Sequence, residues 1–280
     1  MATAGVIARL ARTAPPPGRV SSSLALTLRL AVTSFKLRYS SSALGYAWSL
    51  LRPLLLFGML YLVFALFLLR GRTAAGENFP VELLVGIVAW TFFAEATTSA
   101  TVAVAANADM LHKAQFPRWV LVAAAVLSAT FTLVVNLLLV LAVGLIFHWY
   151  AIGWQSLWVP ALLLELIALA FGLGLLLSTL FVYYRDLSYI WEIVLQLLFY
   201  VSAIIFPLSL VPAAFQWAVN LNPVAQIIED LRRALVSDAI PWSATLLGTK
   251  VWVPITGVAL SLALGAVLFR RLSARFGERL

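Results

Sequence analysis

The chain has no cysteine and only two histidines, and charged side chains make up 11% of its 280 residues. Without cysteine there are no disulfides and no thiolate metal sites. His112 and His148 leave little for a metal cluster or a catalytic triad, so no metal ligand and no catalytic residue is assigned. No G-x-x-x-x-G-K-[ST] occurs to cradle nucleotide phosphates, and Gly248-Thr249-Lys250 is too short to replace one. H-E-x-x-H, paired acids of the D-x-D kind and G-x-S-x-G are also missing. So few charges cannot coat a soluble domain of this length.

What is present is apolar: hydrophobic residues are 63% of the chain. Several runs reach about 20 residues, enough to cross a bilayer core roughly 30 Å thick. The pattern predicts an all-α, polytopic membrane protein with six transmembrane helices, near 47–69, 82–104, 119–147, 157–181, 189–211 and 251–269. An even number puts both termini on one side. Arg9, Arg12, Arg19, Arg29, Lys36 and Arg38 precede the first span, and Arg270, Arg271, Arg275 and Arg279 follow the last. Basic flanks mark cytoplasmic ends, so 105–118 and 182–188 are expected in the cytoplasm. Segments 70–81, 148–156 and 212–250 then face outward. Arg70 and Arg72 run against this assignment, and Glu77 and Glu82 offset them only in part. The net charge of +8 is topology on this reading. No basic-aromatic platform accompanies it, so no nucleic-acid partner is expected.

Residues 1–20, with Pro15-Pro16-Pro17-Gly18, read as a mobile cytoplasmic tail. No cleavable signal peptide precedes the spans, because Arg29 interrupts the one early apolar stretch. Residues 21–46 read as an amphipathic helix with Leu24, Leu28, Val32 and Phe35 on one face and Arg29, Thr33 and Lys36 on others. Such a helix lies in the membrane interface or packs on the protein. Residues 47–270 form the six-span domain, and 271–280 a cytoplasmic C-terminus. Pro207 and Pro212 break the fifth span, since proline removes a backbone donor. Asn222-Pro223 then starts a short helix, cap followed by first position. Ile227, Ile228, Leu231 and Leu235 share its apolar face, and Glu229 and Arg233 form an i,i+4 pair. This helix is too short to span. It lies at the outer interface, dips back into the bilayer, or is a plain surface helix.

Glu95, Glu165 and Glu192 are lone carboxylates within spans. A lone ionised carboxylate there costs several kcal/mol. Glu95 and Glu165 are therefore neutral or paired. Tyr189, Glu192, Gln196 and Tyr200 recur at helical spacing as a polar-aromatic stripe. The stripe faces protein or an aqueous cavity, and aromatic and hydroxyl groups together suit sugars. Gly172, Gly174 and Ser178 read as close helix packing.

Four segments carry a family resemblance. Ser42-Ala-Leu-Gly45-Tyr-Ala-Trp48-Ser-Leu-Leu-Arg-Pro53-Leu-Leu resembles the entry to the first span of permeases of type-2 ABC exporters. Asn107-Ala-Asp-Met-Leu-His-Lys113-Ala-Gln-Phe116-Pro117-Arg118 resembles their first cytoplasmic loop. Tyr183-Tyr-Arg-Asp-Leu187, running into Gln196-Leu-Leu-Phe-Tyr200, resembles the start of their fifth span, and Leu221-Asn222-Pro223 their outer re-entrant region. The match covers most of 35–240. It is nearest to the exporters of O-antigen, teichoic acid or galactan on a polyprenyl lipid carrier. Two positions depart from the pattern: Arg52 stands where asparagine is usual, and Ala203 where proline is common. Arg52 either helps a diphosphate enter or snorkels to the interface.

The resemblance implies a homodimer served by two copies of a separate ABC ATPase, which binds ATP and Mg2+ while this chain binds no cofactor. A chain without a nucleotide site must receive work from a partner. Segment 105–118 is then the docking point, through Asn107, Asp109, His112 and Pro117 with Met110, Leu111 and Phe116 as apolar anchors and Lys113 and Arg118 as charge contacts. Its other reading is an inert loop. The first and fifth spans would line the conduit with Trp48, Tyr61, Tyr189, Glu192, Gln196, Phe199 and Tyr200. Arg29, Lys36, Arg38 and Arg52 would meet the lipid-linked glycan's head group among the membrane lipids, and Asn222, Pro223, Ile227 and Leu231 would form an outer gate. The protein is expected in the bacterial cytoplasmic membrane. Competing readings are a type-2 drug or lipid exporter permease, a membrane glycosyl or acyl transferase with Asp109 and His112 as its nearest acid-base pair, and a secondary transporter. The last is disfavoured by the lack of an internal repeat.

Overall fold

The computed structural model describes residues 20–40, 45, 47–64, 78–113, 116–146 and 153–278. The expected tail, together with Arg70, Arg72, Glu77, His148 and Arg279, lies outside the described residues. Among those described, all regular structure is helical.

The helices are α1 (Val20–Ser40), α2 (Ala47–Val63), α3 (Phe79–Ala106), α4 (Ala108–Lys113), α5 (Trp119–Ile146) and α6 (Val159–Tyr183). They continue as α7 (Leu187–Val201), α8 (Ala213–Val219), α9 (Pro223–Leu235), α10 (Ser243–Leu247) and α11 (Trp252–Leu272). A 3-10 turn, Trp154–Trp158, leads into α6, and another, Ser273–Glu278, follows α11. Among the described residues, four stretches are long and apolar enough to cross a membrane: Phe79–Ala106, Trp119–Ile146, Trp154–Tyr183 and Ser243–Leu272. The two remaining expected spans are shorter apolar helices, α2 with 17 residues and α7 with 15. At 1.5 Å per residue α7 reaches ~22 Å, short of a full hydrocarbon core, while the expected continuation of α2 past Phe64 lies outside the described residues. The expected fifth span thus ends as a helix ten residues before 211, and bends with a 3-10 turn at Leu208–Leu210 follow it.

α3 is the central pillar, buried nearly all round because Leu, Val, Ala and Phe occupy every face. α5, α6, α7, α2 and α9 pack around it. α6 and α11 meet through glycine: a Cβ on Gly172 would stand 2.6 Å from the Leu262 backbone nitrogen, and one on Gly265 would strike the Gly172 carbonyl. Gly174 meets Ala100 on α3 in the same way, at 2.8 Å. Without a hydrophobic drive between helices in lipid, such close backbone approach supplies the packing. The expected role of these glycines holds.

α1 lies lengthwise on α5. It turns Leu26, Thr27, Leu30 and Ala31 inward, while Leu24 and Leu28 face out. The buried stripe therefore lies to one side of the face expected from hydropathy, because small Ala31 permits the closest approach. Phe35 meets Phe131 edge-on at 5.9 Å, so α1 follows α5 for ~18 Å from Trp119.

Candidate functional site

On the side where α3 ends and α5 begins, Asn107 terminates α3, its Nδ2 donating to the Ala103 carbonyl at 2.8 Å. The six-residue α4 then places Met110 into an apolar cluster with Leu26, Leu30, Val120 and Leu121. Met110 is 9% exposed, so it fastens α4 to α1 and α5 rather than offering itself outward. Leu111 and Phe116 are half-buried against the same cluster. Asp109 and Pro117 are exposed. The backbone of His112 and Lys113 belongs to α4, and their side chains lie outside the described residues. Arg118 sits over the Phe276 ring, its Cζ 5.9 Å from the centroid.

α2 and α7 carry the expected aromatic residues on open faces. Tyr189 and Tyr200 are 71% and 65% exposed, and Glu192 and Gln196 are exposed between them. Trp48, Tyr61, Leu55 and Met59 are exposed on α2. Tyr61 stacks on Phe57 at 5.6 Å. Phe199 instead leans inward on Trp90, at 5.7 Å, and touches Tyr200 at 5.5 Å. The inner side of α7 is pinned by Trp191, whose Nε1 donates to Thr97 Oγ1 of α3 at 3.0 Å. α7 is thus held from behind, and its polar-aromatic stripe is presented outward.

Arg29, Lys36 and Arg52 are exposed. Arg38 is different: its guanidinium is ion-paired with Glu95 and donates to Ser99 Oγ at 3.4 Å. Glu95 lies eleven residues before Ala106, ~16 Å along α3. Of the two readings open for Glu95, pairing is the one observed.

The opposite end is organised around Arg232, which is 1% exposed. Its Nε donates to the Glu82 carbonyl at 2.9 Å. Nη1 donates to the Ala203 carbonyl at 2.9 Å and to Glu229 Oε1 at 2.5 Å, and Nη2 donates to the Ile204 carbonyl at 2.8 Å. Ala203 has φ +50, in the left-handed region, and just there α7 has lost its helical hydrogen bonds. Proline, with φ fixed near −65°, does not fit that conformation. Gly86 leaves room for the guanidinium; a Cβ there would stand 2.8 Å from Nη2. One side chain therefore ties α3, the break after α7 and α9 together, satisfying carbonyls that in lipid have no water to turn to.

Asn222 caps α9 as expected, accepting from the Val224 backbone N–H at 3.0 Å with Pro223 in the first turn. Its Nδ2 also donates to Ser202 Oγ at 2.8 Å. Ile227 and Leu231, expected at a gate, are buried core anchors of α9. The expected Glu229–Arg233 pair is replaced: Glu229 bonds Arg232, and Arg233 turns to Asp238 at 3.7 Å, near the Trp242 ring. Burial decides this, since a buried carboxylate needs the nearest buried donor. Asp230 accepts from the Ser243 backbone N–H at 2.8 Å and from Gln226 Nε2 at 2.7 Å, fastening α10 to α9. Burial raises the Asp230 carboxyl above its ordinary value, and these bonds draw it back.

Arg232, Gly86 and the Trp191–Thr97 bond escaped sequence reasoning. Arg232 alone left a signal: it follows Ile228 by four and precedes Leu235 by three, within the apolar stripe.

The family model for ABC-2 type transporters matches residues 26–236. The O-antigen export system permease protein RfbA of Klebsiella pneumoniae is 27% identical over 245 residues, covering 87% of this chain and 90% of that protein. Its counterpart from Myxococcus xanthus is 26% identical, with 77% and 82% covered. The polysialic acid transport protein KpsM of Escherichia coli is 26% identical, with 86% and 91% covered. The matched region runs from α1 to the end of α9, through segment 107–118, the open α7 face and the Arg232 cluster, and the chain belongs to the ABC-2 type transporter membrane family.

Proposed function

We propose that this chain is the membrane-spanning subunit of an ATP-driven exporter that moves a polyprenyl-diphosphate-linked polysaccharide of the O-antigen, teichoic acid or galactan type. The work comes from a separate ATPase, two copies of which act on two copies of this chain. α2, α3, α5, α6, α7 with its irregular extension, and α11 make six passes through the bacterial cytoplasmic membrane, both termini inside. Exposed Arg185, Arg270 and Arg271 lie on the side of α4, in keeping with a cytoplasmic face. The observation that carries this reading is the stripe Tyr189–Glu192–Gln196–Tyr200, polar, aromatic and open on a helix whose back is pinned to α3. A polar stripe on a membrane helix faces protein or water rather than lipid, and aromatic faces let sugar rings slide without tight binding at one point.

Docking of the ATPase falls to the outward side of 107–118, namely Asp109, Pro117 and the open parts of Leu111 and Phe116. Exposed Arg29, Lys36 and Arg52 meet the anionic head group. Arg38, already paired, serves the fold. The test is gentle purification from the native membrane, followed by measurement of lipid-linked glycan stimulation of ATP hydrolysis. An ATPase at equal stoichiometry, stimulated by lipid-linked glycan and lost on replacing Phe116, is the expected result. Stimulation by drugs or phospholipids alone would point to the drug or lipid branch, and a chain that purifies without an ATPase would sink the proposal.

A further inference from the structure

After α11 the chain tightens into the 3-10 turn Ser273–Glu278, and Phe276 returns to the protein with 0% exposure. Its ring meets three others' side chains edge-on or from above. Phe269 of α11 stands at 5.6 Å, Tyr183 at the end of α6 at 6.5 Å, and the Arg118 guanidinium at 5.9 Å. These belong to the last span, the fourth span and the final residue of the docking segment.

The connectivity makes this contact informative. Segment 107–118 is joined by the chain to α3 and α5, so a push on it reaches those helices directly. α11 has no such link; it packs on α6 through the glycine seam and on α9 at the far end. α9 in turn carries Arg232. Phe276 is a direct side-chain bridge between the docking segment and the α6–α11 pair.

We propose that Phe276 is a positioning residue for energy coupling: it passes displacement of the docking segment to α6 and α11, and through them to α9. The proposal rests on the exporter reading above. Energetic coupling over such distances runs through packed side chains whose arrangement differs between two states. An aromatic ring held by two rings and a guanidinium is a stiff element of that kind, whereas an aliphatic side chain is not.

The experiment uses the full chain assembled with its ATPase in lipid nanodiscs or vesicles, with ATP hydrolysis and glycan export measured in parallel. Phe276→Ala is expected to keep the ATPase bound at wild-type stoichiometry and still hydrolysing, while export per ATP falls by about tenfold. Phe276→Tyr, which keeps the ring, is expected to restore export per ATP. Should Phe276→Ala fail to assemble, Phe276→Leu fills the site without aromatic contacts and is expected to show the same uncoupling. Arg118→Met is expected to uncouple in part, and to add nothing on top of the Phe276 change, because neighbours in one path are not additive. Unchanged export per ATP in the Leu or Ala variant, or hydrolysis and export falling in equal proportion, would overturn the proposal. A wild-type chain that retains no ATPase would overturn the exporter reading first, and is seen in the control.

Discussion

Arg232 holds four acceptors from inside the protein, three of them backbone carbonyls on two separate segments. Methionine is of similar length but donates nothing. Arg232→Met is expected to leave Glu229 buried without its cation and the Ala203 and Ile204 carbonyls unmet. Breaking a buried pair from one side costs about 3–5 kcal/mol. Thermal unfolding of the purified chain would show this as a large drop, and Arg232→Lys, keeping the charge but not the fork, should recover only part. The Arg38–Glu95 pair allows a cleaner cycle. Arg38→Glu and Glu95→Arg should each lower folded yield, and the swapped pair should regain it, with a coupling of about 0.5–3 kcal/mol. Independent effects of the two changes would mean that the ion pair does not hold α1 to α3.

At the scale of elements, the α6–α11 seam and the α7 stripe respond oppositely to substitution. Gly172→Leu or Gly265→Leu drives a side chain into facing backbone, which cannot give way as a flexible side chain would. The helices must part, and instability of at least about 1–3 kcal/mol is expected by unfolding assay. Tyr189→Ala and Tyr200→Ala remove exposed rings, so stability should change by no more than about 0.5 kcal/mol. Export of glycan should nevertheless fall clearly while the ATPase stays bound. If export is untouched by the double substitution, α7 is not the conduit wall.

For the whole molecule, the decisive question is whether two copies meet across the α2 and α7 faces. The chain has no cysteine, so one introduced thiol reports unambiguously. Tyr200→Cys in native membranes should give a covalent dimer with a short bifunctional thiol reagent. Trp252→Cys, exposed at the start of α11, should stay monomeric under the same treatment. The reverse pattern would place the dimer interface on α11.

Composition and the length of the apolar runs already determined a helical membrane protein, and those features are set by the bilayer before any packing occurs. The helix start at Asn222-Pro223 and the packing role of Gly172 and Gly174 were legible because caps and close approach depend on local residue type, whereas Gly265 as the facing partner of Gly172 was not. Side-chain partners were not. Glu95 of α3 found Arg38, 57 residues earlier on α1, and Arg232 joined Glu82 to Ala203 and Ile204 across the fold. Met110 and Phe276 turned inward because tertiary neighbours offered them cover that hydropathy does not record. Which polar group pairs with which, and which apolar group is left open, depends on distances that only the packed chain creates.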